Sequence, residues 1–224
     1  MIDAVWDEET GVIRVERAED GAALWDLGWY GRDPRTRGAP SSSSSSSNGD
    51  APEERWTRTV LTPCEAFFLS VLAEEPAVRV RDAQTGAVLD AQAQWAAYGA
   101  LDAGFGAQLA LYRHCRAGGW APRAGVAHGV DLLLYRAGVR HSHAPFAAVL
   151  VRDGAAPLPA GVAQAARNVA NVAKQLLVCR VAGALPLPAV WSRAALDAVR
   201  VDMVLLGRWD PDADRDVPPD GVHP

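Results

Sequence analysis

The chain has little cysteine, almost no lysine and no long apolar run. Its three cysteines, Cys64, Cys115 and Cys179, are widely separated, and no Cys-x-x-Cys pair occurs. A sparse, odd set excludes a disulfide scaffold and a zinc ribbon and predicts a reducing intracellular setting. No stretch reaches the ~18–20 apolar residues that cross a bilayer, so no membrane-spanning segment is expected. The N-terminal MIDAVWDEET is acidic, unlike a secretory leader with its basic start and apolar centre. A P-loop, a G-x-S-x-G elbow, zinc-ligand spacing and paired carboxylates are also missing from the central basic region described below, which predicts no metal and no cofactor.

What is present is ordinary globular material: 224 residues, 49% hydrophobic and 22% charged, enough for one large domain or two small ones. The net charge of −5 hides an asymmetry. Residues 1–110 carry nine Arg against eighteen acidic residues, and residues 181–224 four Arg against seven Asp. Between them, 111–180 holds eight Arg and one Lys against only Asp131 and Asp153, with four of the five histidines. Such a block suits a polyanion-binding face, and equally a solvated arginine-rich surface. Of 22 basic residues only Lys174 is a lysine. In a chain that uses Arg for generic positive charge, a lone Lys marks a place for a compact ammonium on a flexible stem, or is a remnant.

The pattern of residues predicts two short strands around a Glu-Thr-Gly turn in 4–18, then a short helix over 18–31 ended by Gly28 and Gly31. Residues 32–55, with seven consecutive serines (Ser41–Ser47), cannot bury a core and read as a disordered loop. LTPCEAFFLSVLA (61–73) reads as a buried helix opened by Thr62 and Pro63, and two more helices follow over 89–100 and 101–119. Strands are expected at 120–125, 130–136, 146–152, 176–182 and 201–209, with a helix over 161–175. A mixed sheet with helices on its faces packs that list economically, so the fold class is α/β (α+β). The end, 210–224, reads as an acidic tail.

Within the basic block Tyr135 falls near the end of one strand, His143 in the next loop and Lys174 on the last turn of the 161–175 helix. These residue types suit metal-free RNA cleavage, in which a base takes the 2′-hydroxyl proton, an acid protonates the departing 5′ oxygen and a cation steadies the phosphorane. Taken singly, Tyr135 reads first as a strand aromatic that only packs.

The run YRHCRAGGWAPRAGVAHGVDLLLYRAGVRHSHAPF (112–146), with RNVANVAKQLLVC (167–179) and VLLGRW (204–209), resembles the tRNA-intron splicing endonuclease family. Catalytic subunits there carry "RxxGW…GxKFGxDFLLYxxGP…HAxY" followed by "VxKxLLLC", and LWDLGWYG (24–31) resembles an N-terminal "LWxxGxxGxG" segment. The resemblance covers roughly 60–224 and implies Tyr135 as general base, His143 as general acid and Lys174 as the charge on the transition state. His143 is selected over His141 because His143-Ala144-Pro145-Phe146 matches "HAxY". Ala127 and His128 replace the usual Lys-aromatic pair, which removes one positive charge. Arg167 and Trp209 fall where the family has a cation–π clamp on a splayed intron base in the partner's site, although Trp209 could also merely cap the sheet edge.

The implied organisation is a small N-terminal mixed domain (hairpin and helix 1–31, loop 32–55, helical remainder 56–100) plus a C-terminal nuclease domain over 101–209. The implied function is cleavage of pre-tRNA at the 5′ splice site, giving a 2′,3′-cyclic phosphate and a 5′-hydroxyl. The partners would be a second catalytic subunit and two structural subunits in a heterotetramer, in the nucleus or alternatively in the cytoplasm on an organelle surface. The alternatives are a non-catalytic RNA-docking subunit and a homomeric enzyme.

Overall fold

Two mixed sheets and the helices that cover them make up the computed structural model, which describes residues 1–32, 59–136, 143–152, 160–170, 174–183 and 190–206. The serine-rich stretch 32–55 lies almost wholly outside the described residues, and Trp209 and the 210–224 tail lie entirely outside them. The fold is mixed α/β, as the alternation of elements implied.

The first sheet has the order β3-β2-β1-β4. Strands β1 (Ile2–Asp7) and β2 (Val12–Val15) form the hairpin expected around the Glu-Thr-Gly turn, where Asp7 Oδ1 accepts the backbone N–H groups of Glu9 and Thr10. Short β3 (Val60–Leu61) pairs with β2, and β4 (Val78–Asp82) lies parallel to β1. The strand β4 was not anticipated. Its VRVRD alternation carries arginines on one face, and Arg79 and Arg81 there both meet Asp3 of β1.

Helix α1 (Ala18–Gly28) follows the hairpin, and α2 (Pro63–Phe67) continues into a π-helical turn at Phe68–Leu72. The start of α2 is built as its sequence demands. Thr62 caps the helix, Pro63 occupies its first turn, and Glu65 returns a hydrogen bond to the Thr62 backbone. Helices α3 (Ala91–Leu101) and α4 (Phe105–Ala117) lead to the second sheet.

That sheet runs β5-β6-β7-β8-β9, formed by Trp120–Ala124, Leu132–Arg136, Phe146–Arg152, Gln175–Ala182 and Arg200–Leu206. All neighbours are antiparallel except β7 and β8, which run parallel with α5 (Ala160–Ala170) between them. A short α6 (Arg193–Asp197) precedes β9. Side chains alternate across the sheet. Leu132, Leu134, Ala148 and Cys179 join the larger core on the α4 side, whereas Leu133, Tyr135, Ala147 and Leu176 join a second core under α5.

A charged pair, Glu65 and Arg123, is buried where α2 meets the end of α1 and β5. Glu65 is 4% exposed and accepts the Thr62 N–H at 2.8 Å and the Gly31 N–H at 3.1 Å. Its carboxylate also lies 3.6 Å from the guanidinium of Arg123, whose side chain is 11% exposed. Removing one partner of a buried pair strands the other and costs ~3–5 kcal/mol. Glu65→Ala is therefore expected to lower the urea unfolding free energy by about that amount. A loss under ~1 kcal/mol, as for a surface pair, would show that the pair is solvated.

Candidate active site

Sheet register gathers the three sequence-predicted residues at one end of the second sheet. Leu134 pairs with Phe146, and Phe146 pairs with Gln175. Tyr135 stands one residue beyond the first of these positions and Lys174 one residue before the last, while His143 precedes Phe146 by three. Strand β6 therefore ends where β7 and β8 begin, and the separations along the chain collapse.

Of the helix expected over 161–175, the described part is Ala160–Ala170 and residues 171–173 lie outside the described residues; Lys174 stands immediately before β8 rather than on a helical turn. The reason is competition for the backbone: the Gln175 N–H donates to Pro145 O at 3.0 Å, which recruits that residue to the sheet. The Lys174 N–H still donates back to Val169 O at 3.2 Å, so the residue remains tied to α5.

The Lys174 ammonium donates to Ala144 O at 3.0 Å, across from the residue that follows His143. This bond pins the start of the His143-Ala144-Pro145-Phe146 segment to the start of β8. An ammonium has three N–H donors, so two remain for a bound anion. His143 itself is exposed, and Ala144 is buried in the same core as Tyr135.

Tyr135 is 9% exposed and packs against Trp29, with ring centroids 5.7 Å apart and planes at 54°. Burial raises its phenol above the ordinary value, and the nearby Arg123 charge pulls in the opposite direction. Trp29 ends α1 in the left-handed region, at φ 59° and ψ 38°, which costs a side-chain-bearing residue ~1–2 kcal/mol. Its ring stacks on Trp25 at 5.4 Å, and its carbonyl accepts from Arg123. The preceding Gly28 is obligatory on space alone, because a Cβ there would sit 2.6 Å from the Tyr30 ring. Trp29, Arg123 and Glu65 were not singled out from sequence. The LWDLGWYG string was the one available signal, and it carried no role.

Arg167 lies on the exposed side of α5 with its guanidinium 2.7 Å from Gln164 Oε1. Its intended partner Trp209 lies outside the described residues, as does His141. Ala127 is exposed and His128 half-buried on the short 3-10 turn Val126–His128. Among the described residues no three His, Cys, Asp or Glu side chains group closely enough to hold a metal, and no helix is long and apolar enough to cross a membrane.

Residues 105–184, from α4 to just past β8, match the family described as tRNA intron endonuclease, catalytic C-terminal domain. This region is similar to that family's catalytic domain. It contains Tyr135, His143, Arg167 and Lys174. The chain is similar to the tRNA-splicing endonuclease subunit Sen2 of Mus musculus, 28% identical over 125 residues, covering 51% of this chain and 27% of the relative. The Rattus norvegicus subunit of the same name is 30% identical over 129 residues, again 51% and 27%. The Eremothecium gossypii subunit SEN2 is 32% identical over 114 residues, covering 48% and 32%. The matches thus span between 27% and 32% of these relatives' lengths.

All four tyrosines of the chain have phenols raised by burial: Tyr30, Tyr98, Tyr112 and Tyr135. The folded state therefore keeps its phenolic protons longer than the unfolded chain. The corresponding stability is complete below the ordinary phenol value of ~10 and is lost as pH rises through the folded-state values. Tyrosinate absorbance of the native protein is expected to appear only above pH ~10, accompanied by falling stability to urea. A tyrosine ionising near pH 8 in the native protein would contradict this.

Proposed function

We propose that this chain is a catalytic subunit of a tRNA-splicing endonuclease and cuts pre-tRNA at the 5′ splice site of the intron. The observation that carries the reading is the meeting of Tyr135, His143 and Lys174 at one sheet end inside the matched domain. The names of the Sen2 relatives support tRNA splicing as the process. The strings GWAPRAG, DLLLYRAG and NVANVAKQLLVC favour the 5′-cutting subunit on resemblance.

In this scheme Tyr135 takes the proton of the 2′-hydroxyl, and the 2′ oxygen attacks the adjacent phosphorus. The bond from phosphorus to the 5′ oxygen breaks, and His143 supplies the proton that the departing oxygen needs. Lys174, held by Ala144 O, offers its remaining N–H donors to the phosphorane oxygens. The products are a 2′,3′-cyclic phosphate and a 5′-hydroxyl, and the scheme requires no metal. Arg167, exposed on α5, is assigned to a clamp with Trp209 on an unstacked intron base in the partner's site.

His143→Ala is expected to slow cleavage at the 5′ site by ~10²–10⁴ without disturbing assembly, because the imidazole is exposed and packs in no core. With no titrating acid left, the residual rate follows the phenolate fraction of Tyr135, rising about tenfold per pH unit below the phenol pKa. A wild-type rate at the 5′ site in the purified variant complex would remove His143 from the mechanism.

The relatives are named as subunits, and one surface of this chain supports an assembled state. Strand β9 is the last of its sheet and has no partner on its outer side among the described residues. It exposes Met203, Val204, Leu205 and Leu206. A long apolar edge of this kind invites pairing with another chain. Val204→Asp together with Leu206→Asp should reduce recovery of co-expressed partner subunits, with cleavage lost in proportion. Native mass spectrometry checks this. An unchanged complex would place the interface elsewhere, and a homomeric wild-type assembly would favour the simpler enzyme.

A further inference from the structure

Trp29 is the single non-glycine residue with positive φ among the described residues. It stands at the helix-ending position where glycine is the low-strain choice. A large side chain kept in a disfavoured conformation points to what that side chain touches. Trp29 is 6% exposed and lies in the core under α5 with Tyr135, Ala144 and Val169.

Its neighbours form a continuous stack. The Arg123 guanidinium lies 5.0 Å from the centre of the Trp25 ring, Trp25 stacks on Trp29 at 5.4 Å, and Trp29 meets Tyr135 at 5.7 Å. The far end is fixed by the ion pair between Arg123 and Glu65 and by the bond from Arg123 to Trp29 O. At the near end the Tyr135 phenol packs against the Trp29 ring, which bears on its direction. The ring that does so comes from the far N-terminal part of the chain, outside the matched domain 105–184.

We propose that Trp29 is a positioning residue that sets the orientation of the Tyr135 phenol toward the reacting 2′-hydroxyl. The proposal rests on the reading of Tyr135 as general base. It assigns the LWDLGWYG segment a part in catalysis exerted through Tyr135 rather than through RNA.

The test is a double-mutant cycle on the fully assembled endonuclease, read as single-turnover cleavage of pre-tRNA at the 5′ site. Tyr135→Phe is expected to slow the reaction by ~10²–10⁴. Trp29→Ala should slow it ~10–10²-fold at saturating RNA while leaving half-saturation unchanged. Added to Tyr135→Phe, Trp29→Ala should cause no further loss, because both act through one hydroxyl. Equal losses in the two backgrounds, or an effect confined to half-saturation, would overturn the proposal. A wild-type rate for Tyr135→Phe would overturn the general-base reading itself, and the proposal with it. Should Trp29→Ala fail to assemble, Trp29→Phe and Trp29→Leu decide: the ring-bearing variant is expected to cut faster, and equal rates would overturn the proposal.

Discussion

Parallel pairing of β7 with β8 is the constraint on which the site depends. Parallel neighbours must begin at the same end of a sheet, and the chain must travel back over one face between them, here as α5. The residues before the two strands, His143 and Lys174, are thereby brought side by side from positions far apart in the chain. Antiparallel β6 runs the other way and delivers the residue near its end, Tyr135, to the same place. Hydrogen bonds from the Lys174 ammonium to Ala144 O and from the Gln175 N–H to Pro145 O then link the two strand starts. The arrangement brings Tyr135, His143 and Lys174 to one end of the sheet.

The second sheet does not stand alone. Its β5 edge is gripped by the end of α1, through Arg123 on β5, Glu65 on α2 and the backbone of Trp29 and Gly31. Burying a carboxylate and a guanidinium is costly unless they are paired and hydrogen-bonded, as Glu65 and Arg123 are. The carboxylate takes three N–H or O–H donors besides the ion pair. Beside it, Arg116 lies 3.9 Å from the Tyr30 ring centre and donates to Gly28 O at 2.7 Å. The turn between Trp29 and Gly31 therefore places Trp29 in the core under α5 and Tyr30 in the core under α4. The left-handed conformation of Trp29 is what divides these two rings between the two cores.

Much of this could be read from sequence where the signal is local. The hairpin around Gly11, the Thr62–Pro63 start of α2 and the apolar runs of β6 to β8 are each written within a few residues. Tyr135, His143 and Lys174 are picked out from sequence because the motif strings surround them closely, and the family those strings resemble is the one that residues 105–184 match. The losses have physical causes. Strand β4 gives no strand signal because three of its five residues are charged, and only its position beside Asp3 makes VRVRD a strand. Lys174 was placed on a helix because NVAKQ is an acceptable helix continuation, whereas pairing of Gln175 with Phe146 ends that option. The contact between Trp29 and Tyr135 joins residues more than a hundred positions apart, and no local pattern announces it.

The central claim is that one end of the β5–β9 sheet holds the scissile phosphate. Its most direct test is a structure of the assembled endonuclease with pre-tRNA carrying a 2′-deoxy nucleotide at the 5′ splice site, which binds but lacks the attacking hydroxyl. The account predicts the scissile phosphate within hydrogen-bond reach of the Lys174 ammonium and the His143 imidazole, with the Tyr135 phenol facing the 2′ carbon. A phosphate bound at the opposite end of the sheet, or against another subunit with these three side chains turned away from it, would contradict the account.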